Sequence, residues 1–434
     1  MNDLKYIDIL KKNKQLKDEL KENPYSVVII SNIIVHQLKE ILEFSLRSEK
    51  INAFVEFGDY DNILQDSKKY KKSDTIIFFW ELSNIIEGLH YKIEGLSDSQ
   101  YEEIFLKITS EISYVIDATS SSPIVLINKF SSLPFSGFTS NKNKLDKLAE
   151  QLNKYLEEKI LNNTRLIEVD RVIANVGLNK SINLRHFYSS KALFTIDFFK
   201  SYSEFTKPYI MAINGKSKKM IIFDCDNTLW KGILGEDGFK DIQMSSNDKE
   251  GSIFAEVQAM AVQLYNKGVM LGLCSKNNFD EVNEVIDSHP HMQLKQHIIT
   301  IKKINWRDKA SNLIDISNML NISLDSFVFV DDSEFEVNLV KEKLPEVTVL
   351  KVPKNIFEYP QMIRNNLSLF FNFSSTAEDK NRNQMYKKQL ERDSAKSSFK
   401  GIEDYLASLK LKVSIFKDDI YSISRLSQLS QKTN

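Results

Sequence analysis

The stretch Met220-Ile-Ile-Phe-Asp224-Cys225-Asp226-Asn227-Thr228-Leu229-Trp230 joins a short apolar run to two aspartates that are one residue apart. Side chains alternate along an extended segment, so Asp224 and Asp226 are predicted to project to the same side at the end of a buried strand. Two carboxylates so close together repel each other unless a cation lies between them. The stretch therefore predicts a strand that ends at a cation site.

A second acidic pair follows another apolar run, Phe327-Val-Phe-Val330-Asp331-Asp332-Ser333. The carboxyl ends of parallel strands meet at one edge of a sheet, which is where α/β proteins bind their ligands. We therefore expect the four acids to form one site. Carboxylate oxygens favour a hard divalent cation such as Mg²⁺.

The composition restricts the class of protein. The chain has 434 residues, 42% of them hydrophobic, and its 58 basic and 59 acidic side chains give a formal charge of -1. That length predicts roughly three domains, and the balanced charge argues against nucleic acid or an anionic membrane as partner. No apolar run reaches the roughly 18 residues of a membrane span, and the first residues lack a signal-peptide core. We expect a cytoplasmic protein with no membrane partner.

The first part of the chain alternates short β-branched runs with amphipathic helical stretches. Residues 1–24 are predicted to form a leading helix, and residues 25–215 an α/β domain with a doubly wound parallel sheet, a layout that resembles flavodoxin-like and SGNH-hydrolase-like domains. The predicted strands are Ser26–Ile30, Ala53–Phe57, Thr75–Phe79, Pro123–Ile127 and Arg165–Val169.

A second α/β unit, residues 216–372, has the pattern of a compact five-stranded Rossmann-like domain. Its predicted strands are Met220–Asp224, Val269–Cys274, His297–Ile301, Phe327–Val330 and Val347–Val352. Residues 373–400 are charged and predict a helical linker. Residues 401–434 have the pattern of one strand and one helix, as at the start of a further domain.

The spacing of the second unit leaves no room for a large cap domain. Between Trp230 and the next strand there is space for a hairpin flap, Gly232–Gly238, and one helix. Nothing is inserted between Ser275 and Lys309. An α/β site without a lid is open, which suits a substrate group carried on a large molecule.

The order Asp-x-Asp-x-Thr, then Ser275, Lys309 and the pair Asp331-Asp332 resembles the haloacid dehalogenase (HAD) phosphatase superfamily. The resemblance implies that Asp224 is the nucleophile and forms an aspartyl-phosphate, while Asp226 acts as general acid and base. It implies that Ser275 and Lys309 bind the transferred phosphoryl group.

The same resemblance implies a magnesium ion and supporting residues. The ion would be held by Asp224, by the backbone carbonyl of Asp226 and by one acid of the last pair. Asp332 is favoured as the direct ligand over Asp331, and the reverse assignment stays open. Thr228 is expected to brace the turn after the strand, and Asn277 to support the site.

Longer segments narrow the resemblance to the FkbH-like branch of HAD subclass IIIC. These segments are Asp224-Cys-Asp-Asn-Thr-Leu-Trp230-Lys-Gly-Ile-Leu-Gly235-Glu-Asp-Gly238, Cys274–Asn278, Asn305–Lys309 and Val330–Glu336. The similarity runs from about residue 219 to the end, where Arg425–Asn434 resembles the opening of an acetyltransferase-like domain. It implies loading of a glyceryl unit from 1,3-bisphosphoglycerate, a phosphorylated small-molecule donor, onto an acyl carrier protein in polyketide biosynthesis, with loss of phosphate.

Two other functions stay open. One is a phosphatase of a sugar or polyol phosphate in surface-polysaccharide biosynthesis. The other is a scaffold that positions a carrier protein without turnover. Intact Asp224 and Asp226 argue against the scaffold, because a scaffold has no use for converging acids.

Cys225 is a possible acyl acceptor in a glyceryl-thioester scheme. Alternation along the strand points it away from the face that Asp224 and Asp226 share, and neighbouring carboxylates raise a thiol pKa. Core packing is the favoured role for Cys225, and also for Cys274, the second of the two cysteines.

The first domain contains remnants of an SGNH-hydrolase pattern. Ser31 follows the first predicted strand, Asn84 follows the third, and His186 lies late in the domain. However, Asn183 stands where an Asp-x-x-His motif needs its acid, and no Gly-Asp-Ser is present. Partner recognition or scaffolding is therefore favoured over hydrolysis for this domain.

Overall fold

The structure is a computed structural model and describes residues 4–21, 23–137 and 141–372. The predicted linker at 373–400 and the predicted acetyltransferase-like segment at 401–434 lie outside the described residues. The described part contains two five-stranded sheets whose paired strands all run parallel. No helix among these residues is long and apolar enough to cross a membrane.

The first sheet has the strand order β2-β1-β3-β4-β5. Its strands are β1 Tyr25–Ser31, β2 Ala53–Phe57, β3 Thr75–Phe79, β4 Ile124–Asn128 and β5 Thr164–Ile167. The helices of this part are α1 Tyr6–Glu19, α2 Gln37–Arg47, α3 Ile63–Lys69, α4 Leu89–Lys92, α5 Asp98–Ala118, α6 Lys144–Lys159, α7 Val169–Val176, α8 Leu178–Ser181, α9 Leu184–Ser190 and α10 Ile196–Ile213.

Both faces of the first sheet are buried, as expected for a parallel sheet covered by helices. Val27 and Ile29 of β1 pack with α2 and α10 on one face, while Val28 and Ile30 pack with α5 and α6 on the other. Helix α1 packs on α2, where Asn13 accepts a 2.8 Å hydrogen bond from Arg47. The leading helix is therefore part of one helical layer of this sheet.

The second sheet has the strand order β10-β9-β6-β7-β8. Its strands are β6 Met220–Phe223, β7 Met270–Ser275, β8 Ile299–Ile304, β9 Phe327–Asp331 and β10 Thr348–Lys351. Its helices are α11 Leu234–Asp237, α12 Gly251–Asn266, α13 Phe279–Ser288, α14 Lys309–Leu320, α15 Glu334–Lys343 and α16 Tyr359–Asn366. The predicted fold class, two parallel α/β sheets with the second Rossmann-like, is confirmed.

The sequence pattern and the structure differ at three places in the second unit. Helix α16 was not predicted, because it is only eight residues long and has Pro360 in its first turn. The third strand of this unit lies at β8, about two residues later than predicted, because the half-buried Lys302 and Lys303 obscure its apolar pattern. The flap predicted as a hairpin starts and ends at an antiparallel bridge between Lys231 and Gln243, but inside it lies the helical turn α11, closed by a 2.8 Å hydrogen bond from the Ile233 amide to Asp237.

Candidate active site

Three carboxylates meet at the carboxyl edge of the second sheet. β6 and β9 are neighbours, and their register pairs Phe223 with Val330, so the residues that follow lie side by side. Asp224, Asp331 and Asp332 each offer an oxygen atom, and these atoms lie within 4.8 Å of one another. The strand order thus brings together the two acidic pairs, which are more than a hundred residues apart in the chain.

Lys309 lies between two of these acids. It opens α14, whose N-cap is Asp308, and its Nζ is 2.6 Å from Asp331 Oδ2 and 3.0 Å from Asp224 Oδ2. Burial disfavours the ammonium, but the two carboxylates together outweigh burial and raise the pKa of Lys309. Lys309 is therefore a permanent cation against the predicted nucleophile.

The acids carry more negative charge than Lys309 neutralises. Burial, and next the Asp224 charge, raise the pKa of Asp331 to about 7, even though Lys309 lowers it. Burial and Asp224 also raise the pKa of Asp332. A raised carboxyl pKa marks a site where a further positive charge would be stabilising.

The donor set fits a hard divalent cation. Asp224 Oδ1 is buried and has no hydrogen-bond partner among the described residues, which is costly for a carboxylate oxygen unless a cation binds it. Both oxygens of the fully buried Asp331 accept hydrogen bonds, from Lys309 and from the Ser333 amide at 2.8 Å. This favours the half-exposed Asp332 over Asp331 as the second carboxylate ligand.

Asp226 is held by donors from three segments. Its Oδ1 accepts hydrogen bonds from Trp230 Nε1 at 2.9 Å and from the Leu234 amide at 3.0 Å. Its Oδ2 accepts one from Asn277 Nδ2 at 2.9 Å. Burial raises the pKa of Asp226, the hydrogen bonds from Leu234 and Trp230 lower it by less, and the Asp224 charge raises it further. The carboxyl group is therefore oriented, and Oδ2 keeps a lone pair for a proton.

The turn after β6 is stabilised mainly by the backbone. Asn227 adopts a left-handed conformation, with φ of 52°, and its side-chain oxygen accepts a 3.0 Å hydrogen bond from the Gly232 amide. The Thr228 amide donates to the Cys225 carbonyl, but the Thr228 hydroxyl is buried without a partner among the described residues. Thr228 instead accepts, at its carbonyl, a 3.0 Å hydrogen bond from the hydroxyl of Tyr359.

Sequence reasoning missed Trp230 and Tyr359 as parts of the site. Trp230 had a signal, because a buried indole N–H needs an acceptor and Asp226 lies four residues earlier. Tyr359 had none. It reaches the turn from α16, 131 residues further along the chain than Thr228.

The structure places the remaining predicted residues as follows. Ser275 is buried at the end of β7, beside the thiol of Cys225, and its predicted contact with a phosphoryl oxygen stays a prediction. Cys225 is fully buried in the apolar core on the sheet face opposite Asp224 and Lys309. Burial, and next the Asp224 charge, raise its pKa well above the usual thiol range. Cys274 is also buried, with a raised pKa, and both thiols have the environment of core residues.

The hydrolase-like residues of the first domain have structural roles. The Ser31 hydroxyl is buried and hydrogen-bonds with the carbonyls of Ile33 and Phe79, while His186 is exposed on α9. Asn183 is the N-cap of that helix, and Asn84 donates to the carbonyl of Asn32. No hydrogen bond links Ser31 with His186 in the described residues, so the structure does not assemble a hydrolytic pair here.

Glu81 is a buried acid at the corresponding edge of the first sheet. Burial raises the pKa of its carboxyl to about 7, and hydrogen bonds from the amide and hydroxyl of Ser83 lower it by less. The ordinary pKa of a Glu carboxyl is 4.5, so at pH values between 4.5 and about 7 the folded protein keeps a proton on Glu81 that the unfolded chain has released. Stability therefore falls as pH rises through this window.

Replacing Glu81 with Gln is expected to stabilise the protein by on the order of 3 kcal/mol at about pH 8 and to have little effect at about pH 4.5. The amide oxygen of Gln still accepts the Ser83 hydrogen bonds and carries no charge. Chemical unfolding at both pH values measures the difference. Glu87→Gln, at an exposed position, is the control. An equal effect of Glu81→Gln at both pH values would refute the linkage.

Comparison with known proteins adds one structural likeness to this geometry. The crystal structure of the N-terminal part of the protein BF1531 from Bacteroides fragilis, described as containing a phosphatase domain and complexed with Mg, aligns with a TM-score of 0.73 and 24% sequence identity. The alignment covers 86% of this chain and 100% of that one. No family model matches the sequence, and no curated protein matches it. At this identity the likeness establishes that the two chains share a fold.

Proposed function

We propose that this protein is a magnesium-dependent phosphatase that transfers the phosphoryl group of a phosphomonoester to Asp224 and then to water. The observation that carries the proposal is the buried Asp224 carboxylate, which has Lys309 on one oxygen and no partner for the other among the described residues. The magnesium complex of the BF1531 fragment, with its phosphatase domain of the same fold, supports it.

The chain supplies each group that the reaction needs. An oxygen of Asp224 attacks phosphorus, the bond from phosphorus to the ester oxygen breaks, and the departing oxygen takes a proton from Asp226. Water then attacks the phosphorus of the aspartyl-phosphate and gives a proton to Asp226. The bond from phosphorus to the Asp224 oxygen breaks, so phosphate leaves and the Asp224 carboxylate is restored. Lys309 stabilises the charge on the transferred group.

The carboxylates of Asp224 and Asp332 and the backbone carbonyl of Asp226 would hold magnesium. When bound, the ion supplies positive charge that neutralises the acids and the phosphoryl oxygens. Lys309 cannot supply this charge alone, because two of the acids already engage it.

Phosphate release from a small aryl phosphate tests the proposal. Wild-type protein is expected to release phosphate with Mg²⁺, to stop when the ion is chelated, and to recover when Mg²⁺ is restored. Absence of turnover with Mg²⁺ would contradict the phosphatase and favour a scaffold.

Replacing Trp230 with Phe is expected to lower kcat by about tenfold to a hundredfold, with a smaller change in KM. The change removes one of the donors that orient Asp226, whose proton transfer is needed in both half-reactions. Steady-state kinetics with an aryl phosphate measures the effect. Trp80→Phe, at a buried position of the first domain, is the matched control. A kcat equal to that of Trp80→Phe would show that the indole N–H is dispensable.

The finer proposal is that the phosphatase chemistry accompanies loading of a glyceryl unit from 1,3-bisphosphoglycerate onto an acyl carrier protein. The FkbH-like segments and the open edge of the sheet support it. Mass spectrometry after incubation with both substrates should show a glyceryl adduct on the carrier arm and none on the buried Cys225. Phosphate release without any adduct would instead favour a phosphatase of sugar or polyol phosphates.

A further inference from the structure

Two large aromatic side chains stand exposed beside the acid cluster. Trp306 is 76% exposed and Phe335 is 69% exposed. Single exposed apolar residues are common on protein surfaces, but these two lie in segments at the same sheet edge, one in a loop and one in the first turn of a helix. The ammonium group of Lys302 lies over the ring of Phe279, and that of Lys249 lies over the ring of Phe357. Among the described residues, no ammonium group lies over the ring of Trp306 or Phe335 in this way.

The fold places both rings next to the reacting groups. Trp306 lies between β8 and α14, three residues before Lys309, and Phe335 lies in the first turn of α15, three residues after Asp332. Helices α14 and α15 pack side by side on the sheet face that carries Asp224. Both rings therefore belong to segments that border the acid cluster.

Hydrogen bonds join the segments that carry the rings. The Asn305 amide donates to the Ser275 carbonyl at 3.1 Å, and the Asn305 and Asn312 side chains hydrogen-bond with each other. Next to Ser275, Lys276 donates to Glu336 at 2.7 Å. These contacts connect the loop of Trp306 with the helix turn of Phe335 through the end of β7.

The Lys276–Glu336 pair departs from the usual local pattern. A Ser-x-x-Glu sequence at a helix start commonly returns the Glu side chain to the amide of the Ser. Here the Ser333 amide donates to Asp331 instead, and the buried Glu336 reaches across to Lys276. The Ser333 hydroxyl still caps the helix by accepting from the Glu336 amide, and the Lys276–Glu336 pair replaces the reciprocal half of the capping box with a link from the first turn of α15 to the end of β7.

We propose that Trp306 and Phe335 form the subsite for the alcohol portion of the phosphomonoester. The inference rests on the proposed phosphatase function and is an alternative to glyceryl loading: it names as substrate class a phosphomonoester whose alcohol portion presents a broad apolar or planar face. The phosphoryl group lies at Asp224 while the organic portion covers the two rings. Burial of that face supplies binding energy that small leaving groups lack.

Phenyl and 2-naphthyl phosphate test the subsite, because their leaving groups have similar acidity and differ in apolar area. Wild-type protein with Mg²⁺ should prefer the naphthyl ester by about tenfold in kcat/KM. Trp306→Ala and Phe335→Ala should each reduce that preference, because kcat/KM should fall more for the naphthyl ester than for the smaller phenyl ester. Trp306→Phe should retain most of the preference. Tyr91→Ala, which removes a 66% exposed ring from the first domain, is the control.

Tryptophan fluorescence supplies a readout that needs no turnover. The chain has three tryptophans, and Trp80 and Trp230 are buried, so Trp306 alone is accessible to acrylamide. Hexylphosphonate, which cannot be hydrolysed, should shift the emission to shorter wavelength and reduce quenching, whereas methylphosphonate should not. Trp306→Phe should lack both effects.

The outcomes separate the two proposals. If neither aryl phosphate is hydrolysed, the phosphatase proposal fails, while protection of Trp306 by hexylphosphonate would still support the subsite. If both esters are hydrolysed and the Ala variants leave their ratio unchanged, or lower both rates equally, the subsite is wrong and the phosphatase stands.

Discussion

Asp224→Asn is expected to lower phosphate release by at least about a thousandfold, because the amide is a poor nucleophile toward phosphorus. The variant should fold, since Asn has nearly the same shape and its carbonyl oxygen can accept the hydrogen bond from Lys309 at the same place. Neutralising one acid also relieves the repulsion from Asp331 and Asp332. Activity and stability should therefore change in opposite directions.

Steady-state kinetics and thermal unfolding of the same preparations measure both effects. Asp280→Asn is the matched control, because Asp280 is an exposed acid in the first turn of α13. It should retain wild-type activity. If Asp224→Asn kept more than about a tenth of wild-type turnover, Asp224 would not be the nucleophile.

Lys309→Met has the largest expected effect on stability. It removes the cation between Asp224 and Asp331 and leaves buried carboxylates facing each other, a change that typically costs about 3–5 kcal/mol. Added Mg²⁺ should restore part of the loss, because a ligand that binds only the folded state stabilises it by mass action. Turnover should stay low even with Mg²⁺, since Lys309 is also proposed to stabilise the transferred group.

Chemical unfolding with and without Mg²⁺ measures this prediction. Lys343→Met is the control, since Lys343 is exposed and lies 3.8 Å from Asp308, where a surface ion pair contributes little. Equal stability of Lys309→Met and Lys343→Met in metal-free protein would show that the acids do not depend on Lys309. A loss that Mg²⁺ leaves unchanged would argue against a cation site at these acids.

The two substitutions change the net charge at the carboxyl edge of the second sheet in opposite directions. Asp224→Asn reduces the negative charge at the edge of the sheet, and Lys309→Met leaves it uncompensated. The same edge carries Asp226, which is oriented by Trp230 and Asn277 and is predicted to move the protons. Charge compensation and proton transfer are thus assigned to separate groups of residues.

Much of the fold follows from local pattern. Strands β2 and β3 match their predicted bounds. Buried parallel strands appear as continuous β-branched runs, so their existence is easy to recognise. Helix α16 and the helical turn α11 were missed, because short helices with a proline or several glycines have weak periodicity.

The sequence by itself determined two parallel α/β sheets and the strand ends that carry Asp224 and Asp331, because alternation and apolar runs are local properties of the chain. Only the tertiary structure decided which distant groups complete the site. It placed Lys309 between those two acids and brought Tyr359 to the turn after β6. Such contacts depend on strand order and helix packing, which a single sequence does not encode at any one position.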